Sequence, residues 1–335
     1  MFKSTVRWAS RPSLHFVGIV PSILAALAVA GCQSTNPDNV GQSSASDTAQ
    51  AASVAGDILA RGVVHYGFPT GANSGIDIID VDLANTSARI AVGARGIRED
   101  QGAVVADALT PTDWVNKGAL AAVNGGYFGD DHGDSKEIVG LLVENGRVRH
   151  AAPALTGSGA AGLAPGYYTR SVFGVMASGI PQIVWAASEV GRPQNVRAYP
   201  SPTPPSLDSG RPWNPKAAIG CGPTLIHNGR AIVSDRLERL VSEGDLPRTF
   251  VAYDRVHGRP RHVAIGVTNS ATFEELTSQI QDFFVRYDHT RAWAAMCFDG
   301  GPSTQMTYRV GDTLHKPLET QVGLSDCLLV LPGRR

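Results

Sequence analysis

The sequence predicts an α+β domain: one large, mostly antiparallel or mixed β-sheet core with a few flanking helices. Three observations predict it. Short β-type segments, some alternating and some continuously apolar, recur along most of the chain after residue 56, whereas only two segments carry helix-start signals. Glycine and proline punctuate the chain throughout. No internal repeat of fixed period is present.

The chain opens with Lys3, Arg7 and Arg11 ahead of an uncharged stretch from Leu14 to Gly31, and no acidic residue precedes Cys32. That order is the grammar of a signal peptide. The run ends Leu27-Ala28-Val29-Ala30-Gly31-Cys32, which resembles the lipobox of bacterial lipoproteins. The resemblance implies cleavage after residue 31 and acylation of Cys32, hence an exported chain anchored through lipid to the cell envelope. A retained transmembrane helix ranks below this, because spanning takes about 20 apolar residues and Pro21 interrupts the run. Residues 32–55, rich in Ser, Gln, Asn and Ala, lack the apolar periodicity that would repay ordering and read as a flexible tether. Residues 56–335 remain as one domain.

Charge sets few partners. Lys and Arg number 29 against 30 Asp and Glu, and three of the bases lie in the leader, so the exported part is mildly acidic. No basic cluster interleaved with aromatics occurs, which excludes a nucleic-acid binder. Beyond Cys32 the cysteines are Cys221, Cys297 and Cys327, without metal-site spacing. They read as small buried residues or as one bridge with a thiol left over.

Taken in order, the strand candidates are Val63–Tyr66, Ile76–Leu83, Ala88–Val92, Ala119–Val123, Gly140–Glu144 and Val172–Ala177. Gln182–Trp185, Thr249–Tyr253, His262–Val267, Ala294–Phe298 and Cys327–Leu331 follow. Asp77, Asp80 and Asp82 read as the polar side of the second. Thr110-Pro111-Thr112-Asp113 offers an N-cap, a proline at the first helical position and an acid three residues after the cap. Thr272-Phe273-Glu274-Glu275 is a capping box ahead of Leu276, Ile280, Phe283 and Phe284, one face of a helix. Residues 191–216 carry seven prolines and read as a semi-extended surface insertion, with Arg211 and Trp213 available to line a cleft.

Three glycine-rich segments sit at strand ends beside polar groups: AAVNGGYF at 121–128, GCGPTLIHNGR at 220–230 and FDGGPST at 298–304. In the first and third, a hydrophobic strand delivers one amide or carboxylate, and two glycines then let the backbone approach a ligand or turn with positive φ. Singly, each is a turn with a polar first position.

Together and in this order they resemble the phosphodiester glycosidase family, the N-acetylglucosamine-1-phosphodiester α-N-acetylglucosaminidase type. The resemblance runs from about Leu120 to the C-terminus. It also takes in Glu137-Ile138-Val139-Gly140, Arg248-Thr249 opening a strand, the Thr272 helix start, and Gln321-Val322 before the last apolar strand. Two departures stand out: the family's DGGGS is here Asp299-Gly300-Gly301-Pro302-Ser303, and Thr320 replaces a base before the Gln-Val pair.

The resemblance implies hydrolysis of a sugar 1-phosphodiester. Such a substrate has a good leaving group, so cleavage asks for a carboxylate at the anomeric centre and a cation for the phosphate. Asp299 is the expected carboxylate, Glu137 the second acid, and Arg248 the bidentate phosphate ligand. Asn124 is expected to orient a sugar hydroxyl or the carboxylate. Gly125, Gly126, Gly300 and Gly301 supply backbone amides, and Ser303 and Thr304 hydroxyls.

No cofactor is required; the acids Asp130, Asp131 and Asp134 around His132 would admit Ca²⁺ or Mg²⁺ on oxygen ligands. His65, His227, His257, His262 and His289 occur singly, as core or surface histidines. No GxSxG, HExxH or Walker loop occurs, which disfavours serine hydrolases, zincins and P-loop enzymes. The expected partners are a glycan or glycosyl-phosphate and a membrane. The alternatives are a non-catalytic glycan-binding lipoprotein, favoured by Pro302, and a hydrolase of phosphate-free exopolysaccharide or peptidoglycan bonds.

Overall fold

The apolar runs pair into ladders that are antiparallel throughout an eight-stranded sheet, ordered Asp57–Ala60, Val63–Phe68, Ile76–Asp82, His262–Ala271, Leu246–Asp254, Ala292–Cys297, Thr224–His227, Arg230–Ala231. The computed structural model describes residues 56–68, 75–157, 165–240 and 244–333. The leader, Cys32 and the whole tether lie outside the described residues.

Two α-helices occur among the described residues, each opened by the capping box its sequence predicts. In α1 (Pro111–Asn116) the Thr110 hydroxyl accepts from Asp113 N–H and the Asp113 carboxylate accepts from Thr110 N–H. In α2 (Phe273–Arg286) Thr272 and Glu275 do the same. The 3.6-residue repeat then puts Leu276, Ile280 and Phe284 on one stripe. That stripe packs with Ile76, Ile78, Leu225 and Phe250 on one face of the eight-stranded sheet. At about 1.5–3 kcal/mol for each large apolar side chain taken out of water, this packing, not intrinsic propensity, holds α2 in place.

The other face of the sheet carries Ile79, Val81, Val251, Ile265 and Met296, which pack against Val123, Met306, Leu328 and Val330. These belong to a second sheet, ordered Thr313–Leu318, Met306–Val310, Ala121–Asn124, Cys327–Leu331, Arg89–Gly93. A seven-stranded sheet from Arg147–His150 to Arg211–Pro212 adds Leu142, Phe173, Ile183 and Ile219 to the same core. A four-stranded sheet (Arg98–Asp100, Ala103–Asp107, Ser135–Ile138, Phe128–Asp131) and the hairpin of Leu155–Gly157 with Gly166–Tyr168 complete the set.

The fold is therefore more β-dominated than the α+β expectation, with the antiparallel character as expected but divided among several sheets. Packing sheet on sheet lets each bury a face that a single open sheet of so many strands would leave wet.

Three expectations need correction. Asp80 is not on a solvated side: it is 6% exposed, because Ile76–Asp82 is an interior strand with a layer on either face. The 191–216 stretch is irregular chiefly in its middle, at 200–210, since Arg192–Tyr199 and Arg211–Pro212 pair as strands. Its Trp213 is buried in the core of the seven-stranded sheet, lies over Gly174 where a Cβ would stand 2.6 Å from the ring, and donates Nε1–H to Gln182 Oε1 at 2.7 Å. Finally, Cys221, Cys297 and Cys327 are free and buried, so the bridge reading is dropped.

Candidate active site

Three strand ends meet where the eight- and five-stranded sheets converge: the end of Ala121–Asn124, the end of Ala292–Cys297 and the start of Cys327–Leu331. Pairing sets this directly, since Cys327 stands opposite Asn124 and Phe250 opposite Cys297. The turns leaving these strands carry the glycine motifs.

Asn124 is fully buried and acts as the clamp of the junction. Its Nδ2 donates to the backbone carbonyl of Asp299 at 2.7 Å. Its Oδ1 accepts from the Thr249 hydroxyl at 2.5 Å and from Gln305 N–H at 3.1 Å. The Asp299 N–H in turn donates to the Gly125 carbonyl at 3.1 Å. The amide thus ties the backbone of Asp299 to two other strands.

Gly125 and Gly126 close over Asp326, which the sequence reading missed. Gly125 N–H donates to Asp326 O at 3.1 Å and Gly126 N–H to Asp326 Oδ1 at 2.8 Å. A Cβ on Gly125 would sit 2.0 Å from Asp326 Oδ1, and one on Gly126 2.8 Å from the Gly220 carbonyl. The glycines are there for close approach, and their amides serve Asp326 in place of a ligand. Burial pushes the Asp326 carboxyl above the usual aspartate value, and the nearby Asp299 charge pushes the same way, against the bonds from Gly126 and Ser325.

Asp299 follows the Ala292–Cys297 strand and lines a cavity of about 210 Å³ with Arg248, Tyr127, Phe273, Gly300, Gly301 and Pro302 among its neighbours. Gly300 N–H donates to Asp299 Oδ1 at 2.9 Å and the Ser303 hydroxyl bonds the same carboxylate. Burial outweighs these bonds and raises its pKa. Gly301 takes φ +60°, a left-handed position that suits glycine. Pro302 sits in the 3₁₀ turn Gly301–Ser303, where its fixed φ fits and a backbone N–H would have no partner within the turn.

Arg248 is 5% exposed. Its Nε donates to Ala271 O and its Nη2 to Gly244 O, both at 3.1 Å, and the guanidinium lies 4.1 Å from the Phe273 ring centroid. A Cβ on Gly300 would be 3.9 Å from Nη1, so Gly300 lies against the Arg248 side chain. Burial lowers the Arg248 pKa, and a guanidinium remains charged throughout the working range. Arg248 also lines a second cavity of about 670 Å³ with Phe273 and Glu274.

Tyr127, also absent from the expected set, separates the Asp299 cavity from an apolar chamber of about 380 Å³ that includes Leu141, His150, Leu155 and Tyr168. Its hydroxyl donates to Gly222 O at 2.8 Å, and burial holds its pKa well above that of a free phenol. It is a neutral wall at any working pH.

The expected residues divide. Asp299, Arg248, Gly300 and Gly301 line one cavity. Asn124, Gly125 and Gly126 stand behind it as its frame. Ser303 is buried against the carboxylate, and Thr304 is fully buried with Oγ1 unpaired among the described residues. Glu137 is not brought to the cavity: it lies in the four-stranded sheet opposite Val105, with Oε2 accepting from Asp130 N–H at 3.4 Å. The acids around His132 do not converge either, since His132 Nδ1 bonds Asp100 at 3.1 Å and Asp131 pairs with Lys136. Tyr127 carried a signal, as the aromatic directly after the Gly-Gly pair. Asp326 carried none, being one acid in an ordinary Leu-Ser-Asp-Cys run.

Comparison with known proteins points the same way. In fold the chain is similar to the zebrafish N-acetylglucosamine-1-phosphodiester alpha-N-acetylglucosaminidase catalytic domain auto-inhibited by its pro-peptide, with 12% identity, a TM-score of 0.50, and 82% of this chain and 85% of that one covered. A Burkholderia pseudomallei protein described as exported gives 14% identity and a TM-score of 0.49, covering 77% of this chain and 74% of its own. A hypothetical protein from Synechocystis gives 14% and 0.46, covering 80% and 61%. No curated protein matches. The family model for phosphodiester glycosidases matches residues 117–331, a span that holds every residue of the cavity and its frame; the chain belongs to the phosphodiester glycosidase family.

Proposed function

We propose that this protein hydrolyses the glycosidic bond of a sugar 1-phosphodiester in a cell-envelope or extracellular glycan. The observation that carries the reading is one small cavity lined by both a carboxylate and a buried guanidinium, Asp299 and Arg248. At about 210 Å³ it falls below the roughly 300–1,000 Å³ of drug-sized ligand sites, a scale suited to one sugar ring or one phosphate.

In this reading Asp299, ionised, faces the anomeric carbon as nucleophile or as base on water. The departing phosphate is a stable anion and needs no proton, so a second acid in the cavity is unnecessary, in keeping with Glu137 lying elsewhere. Arg248 binds the phosphate, and its charge opposes the one that grows on the leaving oxygen. Its two carbonyl bonds and the Phe273 ring hold it in place before substrate arrives. Export and lipid attachment through Cys32 belong to the same proposal, as does the division into leader, tether and domain; loss of fatty-acid labelling in Cys32→Ala checks the anchor.

The test is release of free GlcNAc from UDP-GlcNAc or a GlcNAc-1-phosphodiester by the purified protein, beside Asp299→Asn and Arg248→Ala, with EDTA as a control. Turnover abolished in both variants supports the reading. A folded wild-type protein without turnover on any glycosyl phosphodiester would leave the glycan-binding lipoprotein instead. Turnover on neutral glycosides that survives Arg248→Ala would point to a phosphate-free bond.

A further inference from the structure

A second group of chemically able side chains lies far from Asp299. Asp254 ends the strand that carries Arg248 six residues earlier, a separation of about 20 Å at roughly 3.4 Å per residue. Three neighbouring strands present one residue each on the face covered by α2. Asp80 follows Ile78, Asp254 follows Ala252 and His262 precedes Ala264, each by two positions, and the three apolar residues pack in the α2 core. The chain leaving α2 adds Asp288.

The group is gathered and dry. His262 Nδ1 is 3.1 Å from Asp80 Oδ2 and 3.4 Å from Asp288 Oδ1, and one ligand atom from each of the three falls within 4.8 Å of the others. Asp254 is fully buried, Asp80 is 6% exposed, and the Asp288 side chain is 4% exposed. Asp254 Oδ1 accepts from the N–H groups of Arg261 and His262. Yet Asp254 Oδ2 and Asp288 Oδ2 are buried without a hydrogen-bond partner among the described residues. A carboxylate oxygen shut away from water and unbonded is costly, and both belong to acids that contact His262, Asp288 at its ring and Asp254 at its backbone N–H.

We propose that Asp80, His262 and Asp288 bind a divalent first-row transition metal of the zinc type, with Asp254 beside it. Bonds of about 2.0–2.2 Å, the zinc range, place adjacent ligand atoms about 3.0–3.6 Å apart in tetrahedral or octahedral geometry, and the two measured separations lie inside that window. The donor set decides the class of ion. An imidazole nitrogen with carboxylate oxygens suits zinc, manganese and their neighbours, whereas Ca²⁺ takes six to eight oxygens at longer range. Because Asp80, His262 and Asp254 lie at or near the ends of three neighbouring strands and Asp288 follows α2, the ion joins helix to sheet. It takes no part in the cleavage chemistry.

The experiment uses the full chain with any affinity tag removed, stripped with chelator and then titrated with Zn²⁺ alone. The expected result is one Zn²⁺ per chain retained through gel filtration, a rise in Tm, and anomalous scattering at the zinc edge between Asp80, His262 and Asp288. Asp288→Asn, which keeps shape and removes charge, weakens Kd at least about tenfold, since even outer-shell changes cost 10–100-fold. Should that variant fold poorly, Asp80→Asn serves in its place, while Asp299→Asn binds Zn²⁺ as the wild type does. No bound Zn²⁺, an anomalous peak elsewhere, or affinity indifferent to both Asp80→Asn and Asp288→Asn overturns the proposal. Wild-type turnover bears on Asp299 and Arg248 alone, so the two proposals fail separately.

Discussion

Replacing Asn124 by alanine separates two roles that its sequence position allows, contact with substrate and support of the protein. The structure gives it three protein bonds: Asp299 O at 2.7 Å, Thr249 Oγ1 at 2.5 Å and Gln305 N at 3.1 Å. Alanine leaves all three partners in a fully buried place. A buried polar group stripped of its partner costs about 1–3 kcal/mol. The Thr249 hydroxyl can rotate toward another acceptor and so lies at the low end, which puts the total near 3–6 kcal/mol. For a domain of this size about 1 kcal/mol corresponds to roughly 2–4 °C, so Tm falls by about 6–24 °C. Asn124→Asp keeps both acceptor bonds and loses the donor to Asp299 O. Protonation restores that donor, so this variant recovers stability relative to wild type as the pH is lowered. Thermal unfolding monitored by calorimetry, run beside saturation kinetics on a GlcNAc-1-phosphodiester, checks both variants. An Asn124→Ala protein with unchanged Tm but no turnover would refute the clamp and return the side chain to the substrate.

Asp299→Asn abolishes turnover yet raises Tm at pH 7. The folded chain holds the Asp299 proton more tightly than the unfolded chain does, so this group favours folding below the ordinary aspartate pKa and that contribution is lost as pH rises through the folded value. The gain of the variant therefore vanishes near pH 3 in a pH series of melting curves, and wild-type turnover falls on the acid side at a higher pH than an unperturbed aspartate would give. Arg248→Lys keeps the charge but loses the fork that spans two carbonyls and the stacking on Phe273; at about 1.5–3 kcal/mol for a charged hydrogen bond, KM for a phosphodiester rises about 10–100-fold by initial-rate kinetics. Gly126→Ala drives a Cβ to 2.8 Å from the Gly220 carbonyl, a backbone contact that cannot swing away, and lowers stability by about 1–3 kcal/mol in urea titration. Pro302→Ala loosens the turn by about 0.4–1 kcal/mol through the unfolded chain and leaves the rate within about twofold, because the turn makes no use of an N–H there.

Local features were the most legible in the sequence. Both capping boxes formed as written, and each expected apolar run came to lie mostly within a strand, though several strands run further, as Pro181–Glu189 and His262–Ala271 do. Periodicity reports which side of its own strand a residue occupies, but not what covers that side. Asp80 was misread for this reason: its strand is interior, and helix α2 covers the face that alternation assigned to water. Trp213 was misread because proline density suggested a loop, whereas an edge strand tolerates prolines whose missing N–H faces outward. At the site, the glycine motifs marked the right turns, and Asp299 and Arg248 share a cavity. Asp326 and the true setting of Asn124 depend on pairings across 175 and 200 residues of chain, in the Asn124–Asp299 and Gly126–Asp326 bonds, and local composition holds no record of them.

The strand Cys327–Leu331 lies inside its sheet, between Ala121–Asn124 and Arg89–Gly93, though it follows every other described strand in chain order. Until it docks, Gly125 and Gly126 have no Asp326 to close upon and the turn that positions Asp299 has lost one wall. The cavity therefore cannot mature from the earlier strands alone; it is completed in one long-range step. A chain cut before Asp326 would lose the frame of the cavity as surely as one cut in the middle.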